Sequence, residues 1–263
     1  MSHLRAPIRA ISLCAIICAM FVLLTAGLGL RVFSRRAHIR WRSYIFRNCA
    51  RAIAGLLNIR ITTIGVPPRA PFFLVANHLS YTDIIVLASQ VDCIFIAKQE
   101  VATWPVIGLL CRGVGTIFID RANRRDIARV NALVERALAE GLGVALFAEG
   151  TSSPGETVLP FKSGLLELAA RAHFAVSYAA LSYSVLDHQR PAHLSVCWWG
   201  EMTFIKHLWG LLQLSEIAAT LTFGQRTIRE GDRKNLASQL HAAVRQEFIP
   251  VVKSEEEWSA VLQ

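Results

Sequence analysis

A chain of 263 residues that is 53% apolar and 18% charged, with a mean hydropathy of +0.40, has ample material for a buried core. Its charged fraction is low for an ordinary soluble domain, so the composition argues against one and asks for a membrane explanation. The net charge of +9 belongs to the N-terminal part: eleven arginines and no acid precede Asp83, whereas 17 Lys and Arg face 19 acids from there on.

Ala10 to Leu30 is an almost unbroken apolar run without charge. As a helix it spans about 30 Å, the hydrocarbon thickness of a bilayer. Arg5 and Arg9 would suit the n-region of a signal peptide. The run is long for a signal-peptide core, however, no clear A-x-A site follows, and a basic cluster arrives at once, which favours a retained anchor. The flank after the run (Arg31, Arg35, Arg36, Arg40, Arg42) is more basic than the one before, which places the body on the cytoplasmic side. A basic block of this kind could face nucleic acid, anionic lipid or an acidic protein. Because the arginines bracket an apolar span and no recognition fold follows, lipid fits and nucleic acid does not.

Trp41–Leu57 reads as a second helix, with Trp41, Ile45, Cys49, Ala52, Ile53 and Leu56 on one stripe and Arg42, Arg47 and Arg51 elsewhere. It suits either a basic amphipathic helix in the headgroup plane or a helix packed on the domain. From Asn58 onward, strand-like runs at Ile59–Ile64, Phe72–Ala76, Cys93–Ala97, Thr116–Ile119, Val144–Phe147, Ala175–Leu181, Leu194–Trp198 and Ala219–Phe223 alternate with helical stretches. The helices are Thr82–Ser89, Pro105–Arg112, Asp126–Glu140, Ser163–Ala172, Phe204–Leu212 and Arg233–Gln246. The expected fold is α/β, a mixed, mostly parallel sheet flanked by helices. Residues 1–57 would be the anchor and amphipathic helix, and 58–263 the catalytic domain.

The segment Phe72–Asp83 (FFLVANHLSYTD) carries the chemistry. A buried strand ends at Asn77-His78, and a helix starts after Ser80, with Asp83 in the Glu/Gln place of a capping box. His78 then lies at the carboxyl edge of the sheet, where open α/β folds bind ligands. Asp83 in the first helical turn can bend back towards the imidazole as an orienting carboxylate. By spacing alone such a pair is an ordinary surface feature, and Asp83 an ordinary helix-start residue.

Its companions change the weight: GTIFIDR (Gly115–Arg121), FAEGTSS (Phe147–Ser153) and PFKSG (Pro160–Gly164). With NHLSYTD, these resemble in order the motifs of the glycerolipid acyltransferase family, which includes 1-acylglycerol-3-phosphate acyltransferases. The Ala97–Glu100 segment, with Pro105 and Gly108 behind it, matches a further family stretch. The resemblance runs from about residue 40 to 225 and implies a lysolipid acyltransferase working through a general base, without a covalent acyl-enzyme. His78 would take the proton from the acceptor hydroxyl and Asp83 would hold its tautomer, help worth ~10²–10⁴ in rate. Arg121 would pair with an anionic headgroup, whose oxygens suit the guanidinium fork. Glu149, Gly150 and Thr151 would shape the acceptor pocket, with Lys98 and Lys162 as further basic candidates. No serine stands in a G-x-S-x-G context. Membrane lipids and an acyl thioester of acyl carrier protein or coenzyme A would be the partners, with no bound cofactor and no metal.

The sequence departs from the family pattern at Ala148 (usually proline), at Ser152 (usually arginine) and near Tyr178 (where proline is expected). The resemblance implies 1-acylglycerol-3-phosphate as acceptor. Ser152 removes a phosphate-binding group while Arg121 remains, and FAEGTSS followed by VLPFKSG resembles the branch acting on lyso-ornithine lipids, the alternative acceptor. A thioesterase or lipase that activates water, and a membrane-tethered binding module, are the competing classes; the second leaves the motifs unexplained. Cysteines 14, 18, 49, 93, 111 and 197 show neither zinc nor disulfide spacing and read as reduced, mostly buried thiols. His188, His193 and His207 read as structural or interfacial, and Trp198, Trp199 and Trp209 as core and interface aromatics.

Overall fold

Runs of consecutive apolar residues become the inner strands, because a strand covered on both faces has no solvent side to alternate with. A computed structural model of the protein describes residues 2–123, 125–186 and 190–252. Among these, β1 (Ile59–Ile64), β2 (Phe72–Ala76), β3 (Cys93–Lys98), β4 (Ile117–Ile119), β5 (Gly143–Phe147), β6 (Val176–Val185) and β7 (Ile217–Phe223) form one sheet. Its order is β1-β7-β6-β2-β5-β3-β4. Only the β6–β7 pair is antiparallel, so the sheet is mixed and mostly parallel. Every residue of β2 and β5 is buried, whereas β1, on the edge, exposes Arg60, Thr62 and Thr63.

Successive residues of β2 serve opposite faces. Leu74 and Ala76 join a core with α3 (Arg35–Leu56), α4 (Thr82–Gln90) and α9 (Phe204–Gln213). Phe73 and Val75 join another with α6 (Asp126–Ala139), α7 (Glu167–Arg171) and α10 (Arg233–Glu247). Val130, Val134 and Ala137 give α6 its buried stripe at helical spacing. Asp232 starts α10 by accepting from Lys234 N and Asn235 N, both at 2.9 Å.

The N-terminal helix α1 (Ser2–Ala26) is followed by a 3₁₀ turn at Gly27–Gly29 and a short α2 (Leu30–Phe33). Together Leu4–Phe33 form a path long and apolar enough to cross a membrane. The helix α3 begins at Arg35, six residues before the expected start, because the Ser34 hydroxyl accepts from Ala37 N and caps it. It packs on the domain and on α1. Ile39, Ile45, Ala50 and Ala54 are buried, while Ala52, expected on the apolar stripe, is exposed. Against α1, the Trp41 indole donates to Leu23 O at 2.8 Å and covers Gly27 so closely that a Cβ there would lie 2.2 Å from the ring.

Several arginines of the basic block hold helix ends together. Arg9 donates to Leu214 O (2.5 Å) and Leu212 O (3.2 Å), and Arg5 to Gln213 O, at the end of α9. Arg47 and Arg51 donate to Gln90 O and Ser89 O at the end of α4. Cations at a helix C-terminus satisfy its free carbonyls and its dipole, for roughly 0.3–1 kcal/mol each.

Leu194–Trp198 is not a strand. Pro191 opens a short helix, α8 (Ala192–Ser195), whose Ala192 carbonyl accepts from both Val196 N and Cys197 N. The neighbouring β6 is already paired on both sides, by β2 and β7, so no sheet edge is open to this segment. The short α5 (Ile107–Gly113) lies within its expected bounds but for one residue. Of the cysteines, only Cys93 and Cys197 are buried; Cys14 and Cys18 are exposed on α1, where their neighbours face outward. His188 lies outside the described residues.

Candidate active site

The loop that carries His78 begins where β2 ends. Asn77, fully buried, uses its side chain as a substitute peptide group: its Nδ2 donates to Leu181 O (2.9 Å), and Leu181 N donates to its Oδ1 (2.7 Å). This extends the β2–β6 pairing by one step and turns the chain out at His78. The loop from β5 then grips His78 from both sides: its N–H donates to Glu149 Oε1 at 2.8 Å, and its carbonyl accepts from Ser153 N at 3.1 Å. The imidazole stacks on Phe147, with centroids 4.2 Å apart and planes 10° from parallel.

Asp83, in the first turn of α4, has no exposed surface. Its Oδ2 accepts from His78 Nδ1 (2.7 Å), Leu79 N (2.7 Å) and Ser80 N (3.0 Å). The bond to Ser80 N is the reach-back half of a capping box; the Ser80 hydroxyl bonds Thr82 N at 3.4 Å instead of completing it. A carboxylate can only accept, so His78 Nδ1 carries the hydrogen and Nε2 is left basic. The His78 side chain keeps 22% of its surface, enough for a substrate hydroxyl to reach it. Such an imidazole, held in one tautomer by a buried carboxylate, can accept a proton and stabilise itself as the imidazolium. The remaining Asp83 oxygen, Oδ1, accepts from Tyr183 OH at 2.7 Å.

Glu149 is 2% exposed, and its second oxygen accepts from Leu159 N at 3.2 Å. Burial pushes its pKa up to about 8; the His78 and Leu159 N–H groups oppose this, and nearby Asp83 adds to it. This residue, expected to shape the acceptor pocket, lies beneath the His78 loop and braces it. Gly150 follows with φ +78°, a left-handed conformation that side chains disfavour, and a Cβ there would lie 3.0 Å from the Lys162 side chain. Arg121 Nη1 donates to Gly150 O. Arg121, Gly150 and Lys162 therefore meet beside the His78 loop, with the Arg121 and Lys162 side chains exposed. Thr151 is exposed at the tip. Lys98 is exposed at the end of β3; among the described residues no hydrogen bond or ion pair joins it to these loops.

An aromatic wall borders the site. Tyr81 meets Trp198 and Phe204 at centroid distances of 5.9 and 5.2 Å, and Trp104 meets the same two rings at 6.2 and 5.6 Å. The Tyr81 hydroxyl bonds His207 Nδ1 (2.9 Å), and His207 Nε2 donates to Cys197 O (3.0 Å), so His207 is structural. Ser152 Oγ donates to Trp198 O. The roles of Asn77, Phe147, Tyr183 and Trp198 escaped the sequence reading. Asn77 and Phe147 could have been found, since both stand inside the motifs; Tyr183 stands in none.

The arrangement is matched elsewhere. Residues 58–184 match the family model described as Acyltransferase. A lyso-ornithine lipid O-acyltransferase of Brucella abortus is 34% identical over 78% of this chain and 82% of its own. The chain belongs to the acyltransferase family. A 1-acyl-sn-glycerol-3-phosphate acyltransferase of Neisseria meningitidis is 33% identical over 66% of this acyltransferase and 68% of the relative. The fold is that of the 1-acyl-sn-glycerophosphate (LPA) acyltransferase of Thermotoga maritima, with a TM-score of 0.64 at 19% identity over 94% of this chain and 95% of that one. This acyltransferase is thus an O-acyltransferase of lysolipid hydroxyls, and with its long apolar α1 it is membrane-associated. Among the described residues no group of three or more His, Cys, Asp and Glu is placed to hold a metal ion.

Proposed function

We propose that this acyltransferase uses His78 as general base and Asp83 as its orienting carboxylate to acylate a lyso-ornithine lipid. The observation that supports the base is the 2.7 Å bond from His78 Nδ1 to a fully buried Asp83, which leaves Nε2 as the basic nitrogen of a side chain that keeps 22% of its surface. The lysolipid hydroxyl attacks the thioester carbonyl as its proton passes to Nε2. The tetrahedral intermediate collapses, expelling the thiolate, which takes that proton back and leaves as the thiol. Acyl carrier protein and coenzyme A both supply such a thioester.

Two observations favour the ornithine headgroup over phosphate. The Ser152 hydroxyl donates to Trp198 O where the family carries arginine, and lyso-ornithine lipid O-acyltransferase relatives match this chain over a larger share of its length than the 1-acyl-sn-glycerol-3-phosphate acyltransferase of Neisseria. Arg121 serves either headgroup, since carboxylate and phosphate both accept its fork. Exposed Thr151 and Lys162 would border the headgroup, with Lys98 beyond them.

Residues 1–57 form the membrane-facing part and the remainder the catalytic domain. Arg5 and Arg9 pin one end of α1 to α9, and Trp41 and His38 pin the other, with His38 Nδ1 2.9 Å from Gly27 O. A helix held at both ends lies along the body, its outer residues Leu4, Ile8, Ile11 and Val22 in the lipid. Exposed Arg31, Arg36 and Arg40 face anionic headgroups on the cytoplasmic leaflet.

The test is a panel of lysolipids, ornithine-bearing and phosphate-bearing, given one acyl thioester and the purified enzyme. Faster acylation of the ornithine lipid supports the headgroup; faster acylation of the phosphate lipid replaces it. Free fatty acid without acylated lipid would instead mean a hydrolase.

A further inference from the structure

Asp83 is held asymmetrically. Three donors converge on Oδ2, all from its own turn of chain: His78 Nδ1, Leu79 N and Ser80 N. Among the described residues the other oxygen has one hydrogen-bond partner, the hydroxyl of Tyr183, which lies 100 positions away and is 3% exposed. A carboxylate gripped at one oxygen can still swing about its Cβ–Cγ bond. A donor on the second oxygen stops the swing and fixes the plane in which His78 Nδ1 must bond.

The placement of Tyr183 follows from the sheet. Asn77 clamps Leu181 through both of its amide atoms, which sets the height of β6 against the catalytic loop. Two residues on, Tyr183 points to the same face as Leu181, the face on which α4 packs. Its partner across the antiparallel pair is Ala219, a small residue that leaves room for the ring. Burial, then Asp83, push the phenol well above its ordinary pKa, so it stays a protonated donor.

We infer that Tyr183 is a positioning residue of the acyl transfer, acting through Asp83 on the basicity and orientation of His78. The titratable groups around Asp83 are His78, Tyr183, Glu149 and Cys197; of these Tyr183 and His78 bond it directly. Removing the hydroxyl leaves the negative charge on Asp83 less dispersed. The His78 imidazolium is then favoured, and the acid limb of the rate profile moves to higher pH, while the loosened carboxylate lowers turnover.

The experiment uses the full-length enzyme in mixed micelles of lysolipid and detergent. Tyr183→Phe keeps the ring and should lower kcat about tenfold, the loss expected for one charge-assisted hydrogen bond. KM for lysolipid and thioester should stay within about twofold, and the acid limb of kcat should rise by about half a pH unit or more. In an Asp83→Asn background the same substitution should cost less than about twofold, because its route to His78 is already cut. An unmoved acid limb, or a full tenfold loss in that background, would show that Tyr183 only fills space. If Tyr183→Phe does not fold, fluorotyrosine at 183 keeps the hydroxyl as a stronger donor. It should move the acid limb downward, and no movement overturns the inference. Because the inference rests on His78 as the base, His78→Ala is measured alongside. Retained turnover there defeats the base itself, whereas an inactive His78→Ala beside a wild-type-like Tyr183→Phe defeats the role of Tyr183 alone.

Discussion

The two sides of the site are built differently. On the proposed base side, Asp83, Asn77 and Glu149 are each 2% exposed or less, and each makes at least two hydrogen bonds to the His78 loop or its neighbours. On the proposed acceptor side, Thr151, Lys98 and Lys162 are exposed, and Arg121 is anchored, among the described residues, through one backbone carbonyl. Proton transfer tolerates little displacement of the base, so its shell is over-determined. Headgroup binding needs charge and reach more than a fixed geometry, which leaves that side open to change while the chemistry stays the same.

The sharpest way to break this contrast is His78→Ala. Turnover should fall by ~10²–10⁴ with little change in lysolipid KM, as single-turnover and steady-state assays would show. A loss confined to KM would erase the distinction between the sides. Arg121→Ala should do the reverse: lysolipid KM rises by about tenfold to a hundredfold, with kcat falling less, the worth of a charge-assisted contact. Ser152→Arg should shift the ratio of phosphate to ornithine lipid acylation by about tenfold towards phosphate, measured with both acceptors competing. An unchanged ratio would mean that the headgroup is chosen elsewhere.

The smallest effect concerns Glu149. Its folded pKa of about 8 lies above the ordinary 4.5. Over that interval the folded enzyme binds more protons than the unfolded chain, so stability is highest below it and declines as pH rises towards 8. The unfolding temperature of the wild type should fall by about a few degrees between pH 5 and pH 8. Glu149→Gln should flatten that slope while lowering stability at pH 5, since an amide cannot accept from both backbone donors.

Much of this was legible in the linear chain. β2 and β5 stood out because buried parallel strands are continuous apolar runs, and α6 because its buried residues recur at helical spacing. His78 and Asp83 were legible through their position at a strand end and their companion motifs. Leu194–Trp198 misled because its β-prone composition, rich in aromatic and branched residues, reads alike in a strand and in a buried loop. The arginines misled in part as well. Arg5 and Arg9 looked like the basic flank of the apolar run, and Arg47 and Arg51 like the polar face of an amphipathic helix, yet each bonds a carbonyl at the end of another helix. Charge can be counted along a chain, but its partner cannot.

The sequence by itself determined most of the strand and helix pattern, the pairing of His78 with Asp83 and the apolar N-terminal helix, because each depends on residues near one another in the chain. Only the tertiary structure decided the rest: Glu149 as a brace beneath the loop, α1 pinned at both ends, and Tyr183 on Asp83. Those contacts join residues tens to hundreds of positions apart, and their geometry is set by how β6 registers against β2 and how α1 docks on α9. No local pattern in the residues encodes that.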